Sequence, residues 1–184
     1  MTPADCSSPT ERIHLVSKKV QADLYVIVNG DEPLITAGQI GNCIPNEDIY
    51  GKPFVMNLMT DCENAVDAVD VTNIKVVTNS AGYCVYLSRS PMPYPKGTSD
   101  FGYQKFVGVT GFTPEALNFF HETPKGIVEK AEDVDELRFV ENGIPLKFIN
   151  VHSKTLSVNT IKDVHDVERR LKQIEPDFAT SSVI

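Results

Sequence analysis

Asn29, Gly30, Asp31 and Glu32 stand directly after a short apolar run at 24–28, and that placement gives them chemical interest. In an open α/β sheet, ligands collect beyond the carboxyl ends of the strands. A glycine there lets the backbone pass close to a ligand. The Asp31 carboxylate is a hard oxygen donor of the kind that holds Mg2+, a cation that keeps phosphate company. A strand ending in Gly-Asp is also an ordinary turn, so from these residues alone both readings stand. The candidate cations have structural alternatives as well. Arg89, between two serines, could anchor its loop by an ion pair. Lys75, inside a strand, could pair across a hairpin, and Arg138, on a helix, could be a solvated surface charge. The acidic run at 129–136 reads as a solvated helix face.

The elements that would position these residues alternate between helix and strand, the pattern of an α/β domain. Residues 9–21 carry Ile13, Val16 and Val20 on one helical face, with Ser8 or Thr10 as the cap. The run at 24–28 consists of β-formers and reads as a buried parallel strand. A weaker strand follows at 54–59 and a short helix at 63–69. A hairpin spans 74–77 and 83–87, turning at Ser80-Ala81-Gly82. Residues 90–102, rich in proline, form a loop, and 106–112 a strand. Thr113-Pro114 opens a helix with a capping hydroxyl and a proline in the first turn. A longer helix is expected over 126–142, closed by Gly143, then a strand at 146–151 and a last helix at 161–173. The fold class expected is α/β, a mostly parallel sheet with flanking helices. A single domain covers 1–174, with a frayed tail over 175–184.

The chain's 184 residues suffice for one domain with a real core. With 41% hydrophobic and 23% charged residues it reads as globular rather than disordered. Its apolar runs fall far short of the ~20 residues that cross a membrane, and the N-terminus lacks the basic and apolar regions of a signal peptide. A net charge of −8 argues against a duplex nucleic-acid partner, which needs a basic face, but leaves a nucleotide substrate open. Cys6, Cys43, Cys62 and Cys84 stand far apart, without a CxxC pair, so zinc spacing is absent and a disulfide framework is not expected. A reduced cytoplasm is the expected location.

The stretch from Tyr25 to Ile35 resembles the "VNVQGDEPLI" signature of the 3-deoxy-manno-octulosonate (KDO) cytidylyltransferases. Residues 73–77 resemble the family's "NxVKVV" strand and 86–94 its "YFSRSPIPY" segment. Residues 105–112 are similar to "KHIGIYGY", 135–144 to "EQLR…ENGI", and Ser157-Val158-Asn159-Thr160 to "GVDT". All six segments occur in the family's order. The first twelve residues resemble an internal family stretch, "MTxxDHxSGTDR". The family carries, ahead of that stretch, a first strand and a basic glycine-containing loop that wraps the triphosphate, and nothing in these 184 residues resembles that loop.

The resemblance implies a nucleotide-diphospho-sugar transferase fold, truncated at the N-terminus, and a cytidylyltransferase that uses CTP and an acid sugar for lipopolysaccharide biosynthesis. The sugar's anomeric hydroxyl attacks the α-phosphate and pyrophosphate leaves. It implies Mg2+ held by Asp31 and by the position of Asn159, where the family has aspartate. Substrate contacts fall to Asn29, Gly30, Arg89, Asp135, Glu136 and Arg138, and nucleotide contacts to Ser8, Thr10 and Arg12. It also implies a homodimer built through 88–112. Departures from the family pattern include Pro9 for glycine, Asn29 for glutamine, Phe106 for histidine and Thr110 for tyrosine. Asp135-Glu136 replaces Glu-Gln, and Asn159 weakens the metal site. These changes suggest another small acid, such as a phosphonate, or a non-catalytic remnant; the missing loop implies that this chain alone is impaired. His14, His121, His152 and His165 fall on none of the motifs and are read as non-catalytic.

Overall fold

The computed structural model describes residues 2–46, 49, 51–98, 100–151, 157, 158 and 160–180. Its organising element is a nine-residue strand, which takes the label β5 in chain order, Gln104–Phe112. Strand β2 (Val55–Asp61) runs antiparallel along one whole edge of it, and β6 (Leu146–Asn150) lies parallel on the far side of β2. The opposite edge of β5 is shared. Strand β1 (Tyr25–Val28) pairs with Val109 to Phe112, and β3 (Lys75–Thr78) pairs with Gln104 and Lys105. The two lie end to end, the carboxyl end of β1 facing the start of β3. Strand β4 (Cys84–Ser88) completes the expected hairpin with β3, through a turn in which Gly82 has φ +83.

The architecture is mixed α/β, an open sheet with flanking helices, but two expectations about strand direction need correction. The sheet is not mostly parallel: among the described pairings only β2–β6 is. Nor is β1 in a parallel pair. An apolar run reports burial and is silent about the partner's direction; here β5 inserts between β1 and β2 and opposes both.

Side chains alternate across β5 as they must in a strand. Phe106 and Phe112 join a core with Val55, Leu87, Leu117 and Phe139. Val107 and Val109 face a second core with Cys43, Phe54 and Leu58. Helix α1 (Pro9–Ser17) is capped by Ser8, whose hydroxyl accepts the Glu11 N–H at 3.2 Å, and it packs on α4 (Pro114–Glu122). Thr113 caps α4 as expected, accepting the Ala116 N–H at 3.3 Å. Each cap is worth about 1 kcal/mol. Two short helices, α2 (Ala37–Gly41) and α3 (Ala65–Val69), flank β2 in sequence. Among the described residues no helix is long and apolar enough to cross a membrane.

The helix expected over 126–142 is two: α5 (Ile127–Glu132) and α6 (Leu137–Glu141). Asp133 breaks it in the left-handed region at φ 52. The break frees the carbonyls of Glu132 and Asp133, and Arg89 takes both, at 2.6 and 3.0 Å, along with that of Val71 at 3.0 Å. The last helix, α7 (Ile161–Thr180), outruns the expected 161–173 and takes in much of the expected tail, since each added residue of an established helix gains a hydrogen bond.

Arg138 and Glu129 tie α6 to α5. The guanidinium binds both carboxylate oxygens, at 2.7 and 2.6 Å, and donates to the carbonyls of Phe120 and Thr123 at 2.6 and 3.0 Å. It also lies over the Phe120 ring, 3.6 Å from the centroid. Glu129 is 1% exposed and Arg138 6%. Removing one partner of such a pair leaves a buried charge without compensation. Arg138→Ala is therefore expected to lower unfolding stability by about 3–5 kcal/mol, and the double variant Arg138→Met with Glu129→Leu to recover most of it. Urea midpoints for the three chains check this.

Candidate functional site

Where β1 stops and β3 has not yet begun, the edge of β5 is bare of a strand over Phe106 to Gly108. Local groups satisfy it instead. Asn29 N–H donates to the Gly108 carbonyl at 2.8 Å, and Phe106 N–H to the Ile74 carbonyl at 2.9 Å. Gly108 N–H donates to Glu32 Oε1 at 3.0 Å. Gly108 has to be glycine: a Cβ there would stand 2.8 Å from Asn29 Nδ2 and 2.9 Å from Asn29 Cβ.

Two adjoining cavities open at this gap. The larger, about 400 Å³, is walled by Ser8, Pro9 and Thr10 at the start of α1, Asn29 beyond β1, Phe106 and Thr110 on β5, and Asp135-Glu136 ahead of α6. The smaller, about 120 Å³, lies among Asn29, Asp31, Glu32, Asn73 and Ser157. Asp31 is half-buried, and its carbonyl accepts the Val158 N–H at 2.8 Å. The segment leading to the last helix thus converges on Asp31, as the family resemblance implies; Asn159 itself lies outside the described residues, as does His152. The donors at the smaller cavity are oxygens and amides, and among the described residues buried Glu32 keeps Oε2 without a hydrogen-bond partner. Such a set suits a hard cation such as Mg2+.

Of the remaining sequence candidates, Gly30 is exposed on the same turn, with open space around it. Arg89 reaches the larger cavity, but three of its N–H groups are held by carbonyls, close to the anchoring role that the sequence left open. Two cations are placed elsewhere. Arg138 was a candidate substrate contact and is instead the buried partner of Glu129; its alternative as a solvated charge fails too. Arg12 points away from the cavity and donates to Thr2 Oγ1 at 2.5 Å and the Pro3 carbonyl at 2.9 Å. Lys75 neither pairs across the hairpin nor reaches the cavity. It is 0% exposed, and its ammonium donates to the carbonyls of Asp70 and Asn73 at 2.7 and 2.5 Å. Sequence reasoning missed Glu32, which it took as part of a turn. An acidic residue followed by Pro33 gave no sign that the carboxylate folds inward onto β5.

Six described positions that depart from the family pattern, Pro9, Asn29, Phe106, Thr110, Asp135 and Glu136, line the larger cavity, whereas others, among them Glu11, Met92 and Val107, lie off it. The sequence profile of the cytidylyltransferase family matches residues 1–156. The chain belongs to that family. The 3-deoxy-manno-octulosonate cytidylyltransferase of Acidobacterium capsulatum is 32% identical over 172 residues, covering 92% of this chain and 69% of that protein. Its counterpart in Chloroherpeton thalassium is 34% identical over 179 residues, covering 91% and 70%. A solved CMP:2-keto-3-deoxy-manno-octonic acid synthetase complexed with CTP superposes with a TM-score of 0.84 at 30% identity, covering 94% of this chain and 71% of that one. The inositol-1-phosphate CTP transferase of T. maritima, at 13% identity and a TM-score of 0.54, shares the fold.

Glu136 carries the clearest electrostatic signature among the acids of this cytidylyltransferase's cavity. It is 8% exposed; burial first, and the Asp135 charge second, push its pKa from 4.5 up to about 7. An unfolded chain gives up this proton near pH 4.5, whereas the folded chain keeps it until about pH 7. The unfolded state therefore binds fewer protons in that window, and stability must fall as pH rises through it. Glu136→Gln removes the effect. Its stability is expected to exceed the parent's by up to about 3 kcal/mol at pH 8 and to show a flatter profile between pH 4.5 and 7. Denaturant midpoints across that range check it.

Proposed function

We propose that this cytidylyltransferase binds CTP together with a small carboxylic-acid sugar of the KDO type, or another small acid, and forms the CMP conjugate with release of pyrophosphate. The observation that carries the reading is the cavity at the β1–β3 gap. It combines the hydroxyls of Ser8 and Thr10, the amide of Asn29 and the acids of 133–136 in a chain whose solved counterpart holds CTP. In this reading Ser8 and Thr10 contact the nucleotide. Thr110 and Glu136 orient the acid substrate, Glu136 donating a hydrogen bond while it holds its proton. The acceptor's hydroxyl oxygen forms a bond to the α-phosphorus, the bond to the β-phosphate oxygen breaks, and the hydroxyl proton passes to solvent. Positioning and charge neutralisation provide most of the rate in such chemistry. Mg2+, held through Asp31 and the Asn159 position, supplies neutralisation of the phosphates when bound.

The six departures on this one cavity's wall, several of them exchanging one polar group for another or removing it, support an acid substrate different from KDO, a phosphonate among the candidates. The cavity's charge balance supports weak activity of these 184 residues by themselves. Its described wall carries two cations, Arg89 and Lys125, already offset by Asp133 and Asp135, and Glu136 adds a third negative charge once it ionises. A CTP triphosphate adds about four negative charges, to be met by donors and cations together. A second reading, a non-catalytic interaction protein, draws support from the same imbalance. A cytoplasmic location suits the four free cysteines.

A two-fold dimer through 88–112 belongs to this reading. Most of strand β5 is paired on both edges, which makes the loop ahead of it the more open part of that region. The loop ahead of it exposes Met92 (39%), Tyr94 (85%) and Phe101 (40%). Sedimentation is expected to give a two-fold dimer that Tyr94→Asp dissociates; a monomer at high concentration overturns it.

The activity reading is tested by pyrophosphate release from CTP with excess Mg2+, using KDO and a panel of small phosphonates. The 184-residue chain is compared with one extended by the phosphate-binding segment of a KDO cytidylyltransferase. The extended chain is expected to turn over at least one acid, and the 184-residue chain slower by several orders of magnitude. Clear turnover by the short chain overturns the impairment. Inactivity of both on every acid favours the interaction protein.

A further inference from the structure

A second cluster of titratable groups lies where α1 packs on α4. Glu11 and His14 sit one turn apart on α1, and His121 comes from the last turn of α4. The two imidazole rings stack, centroids 4.2 Å apart and planes 18° from parallel. Glu11 Oε1 is 2.7 Å from His121 Nδ1 and 4.0 Å from His14 Nδ1. His14 is 3% exposed, and among the described residues neither of its ring nitrogens makes a close hydrogen bond, the Asn118 side chain standing as a looser polar neighbour. A buried polar group without a close partner is unfavourable, so the arrangement has room for one. Burial, followed by the charges of His121 and Lys18, holds the His14 pKa below 6.5 against the opposing pull of Glu11.

We propose that Glu11, His14 and His121 form a site for a zinc-like divalent cation, which pins α1 to α4. One ligand atom from each residue lies within 4.8 Å of the other two. In a tetrahedral zinc site, with bonds of about 2.0–2.1 Å, ligand atoms stand roughly 3.3 Å apart. Because each imidazole lone pair lies in its ring plane, loading the site requires the two stacked rings to turn out of parallel until their nitrogens converge. Two imidazoles and one carboxylate form a donor set that zinc favours over magnesium, and a water fills the fourth position. The neighbouring ammonium of Lys18 is turned aside, donating to Asn118 Oδ1 at 2.7 Å. Glu11 follows directly on Thr10, so a loaded site steadies the end of α1 that forms a wall of the cavity.

The test is a calorimetric titration of zinc chloride into the chelator-treated chain, in excess magnesium so that all-oxygen sites are filled. One equivalent is expected to bind, with a rise in the thermal midpoint. His121→Ala alters a half-exposed side chain and is expected to fold, as circular dichroism will verify. It should weaken zinc binding at least about tenfold and abolish the midpoint rise, while Asp31→Asn changes neither. Absence of zinc binding by the parent chain overturns the proposal. So does undiminished binding by His121→Ala, or loss of binding in Asp31→Asn.

Discussion

A carboxylate stands in for a strand at the centre of this fold. Between the end of β1 and the start of β3, Glu32 Oε1 accepts the Gly108 N–H, and the same oxygen accepts the Ser157 hydroxyl at 2.6 Å. A buried N–H without a partner would cost about 1–3 kcal/mol, so the gap in the ladder exists only because Glu32 fills it. That one side chain holds together the turn after β1, the middle of β5 and the segment ahead of α7. Asn29 and Asp31, immediately before it, are thereby fixed at the rim of both cavities.

Local signals were legible in the sequence and long-range ones were not. Thr113-Pro114 announced a helix start because a cap is a contact between residues three apart. The β3–β4 hairpin was legible because Gly82 must turn it. The direction of β1 rests on pairing with residues more than 80 positions away, about which an apolar run says nothing. The break at Asp133 is held by Arg89, 44 residues upstream, and no helical periodicity could announce it. At the site, the turn at 29–32 was visible from its position after a strand. The inward fold of Glu32 was not, and neither was the withdrawal of Arg138 and Lys75 into the interior, since a charged residue's partner cannot be read from its own neighbourhood.

Scaffold and lining are separable in this molecule. The elements that define the family fold carry their own anchors: the Arg138–Glu129 pair between α5 and α6, the Arg89 clasp on the helix break, the Thr113 cap. None of these anchors needs the larger cavity's contents. Six positions that depart from the family pattern sit on its wall, drawn from four separate stretches of chain. A pocket assembled this way can be relined residue by residue while the sheet behind it stays the same.

Strand β5 limits how that relining can happen. Phe106 and Thr110 line the cavity while Val107 and Val109 between them fill the opposite core, so the strand works like a reading frame. Its phase is locked at its own bulge opposite β2, where Asn57 faces Thr110 and Leu58 faces Val107, and where buried Asn57 Nδ2 donates to the Val109 carbonyl and to Thr110 Oγ1, both at 2.6 Å. One residue inserted into β5 would exchange the two faces, turning valines into the cavity and a phenylalanine and a threonine into the second core. Descendants of this chain can therefore change what the cavity prefers by point substitution, whereas insertions and deletions must be absorbed in the loop before the strand.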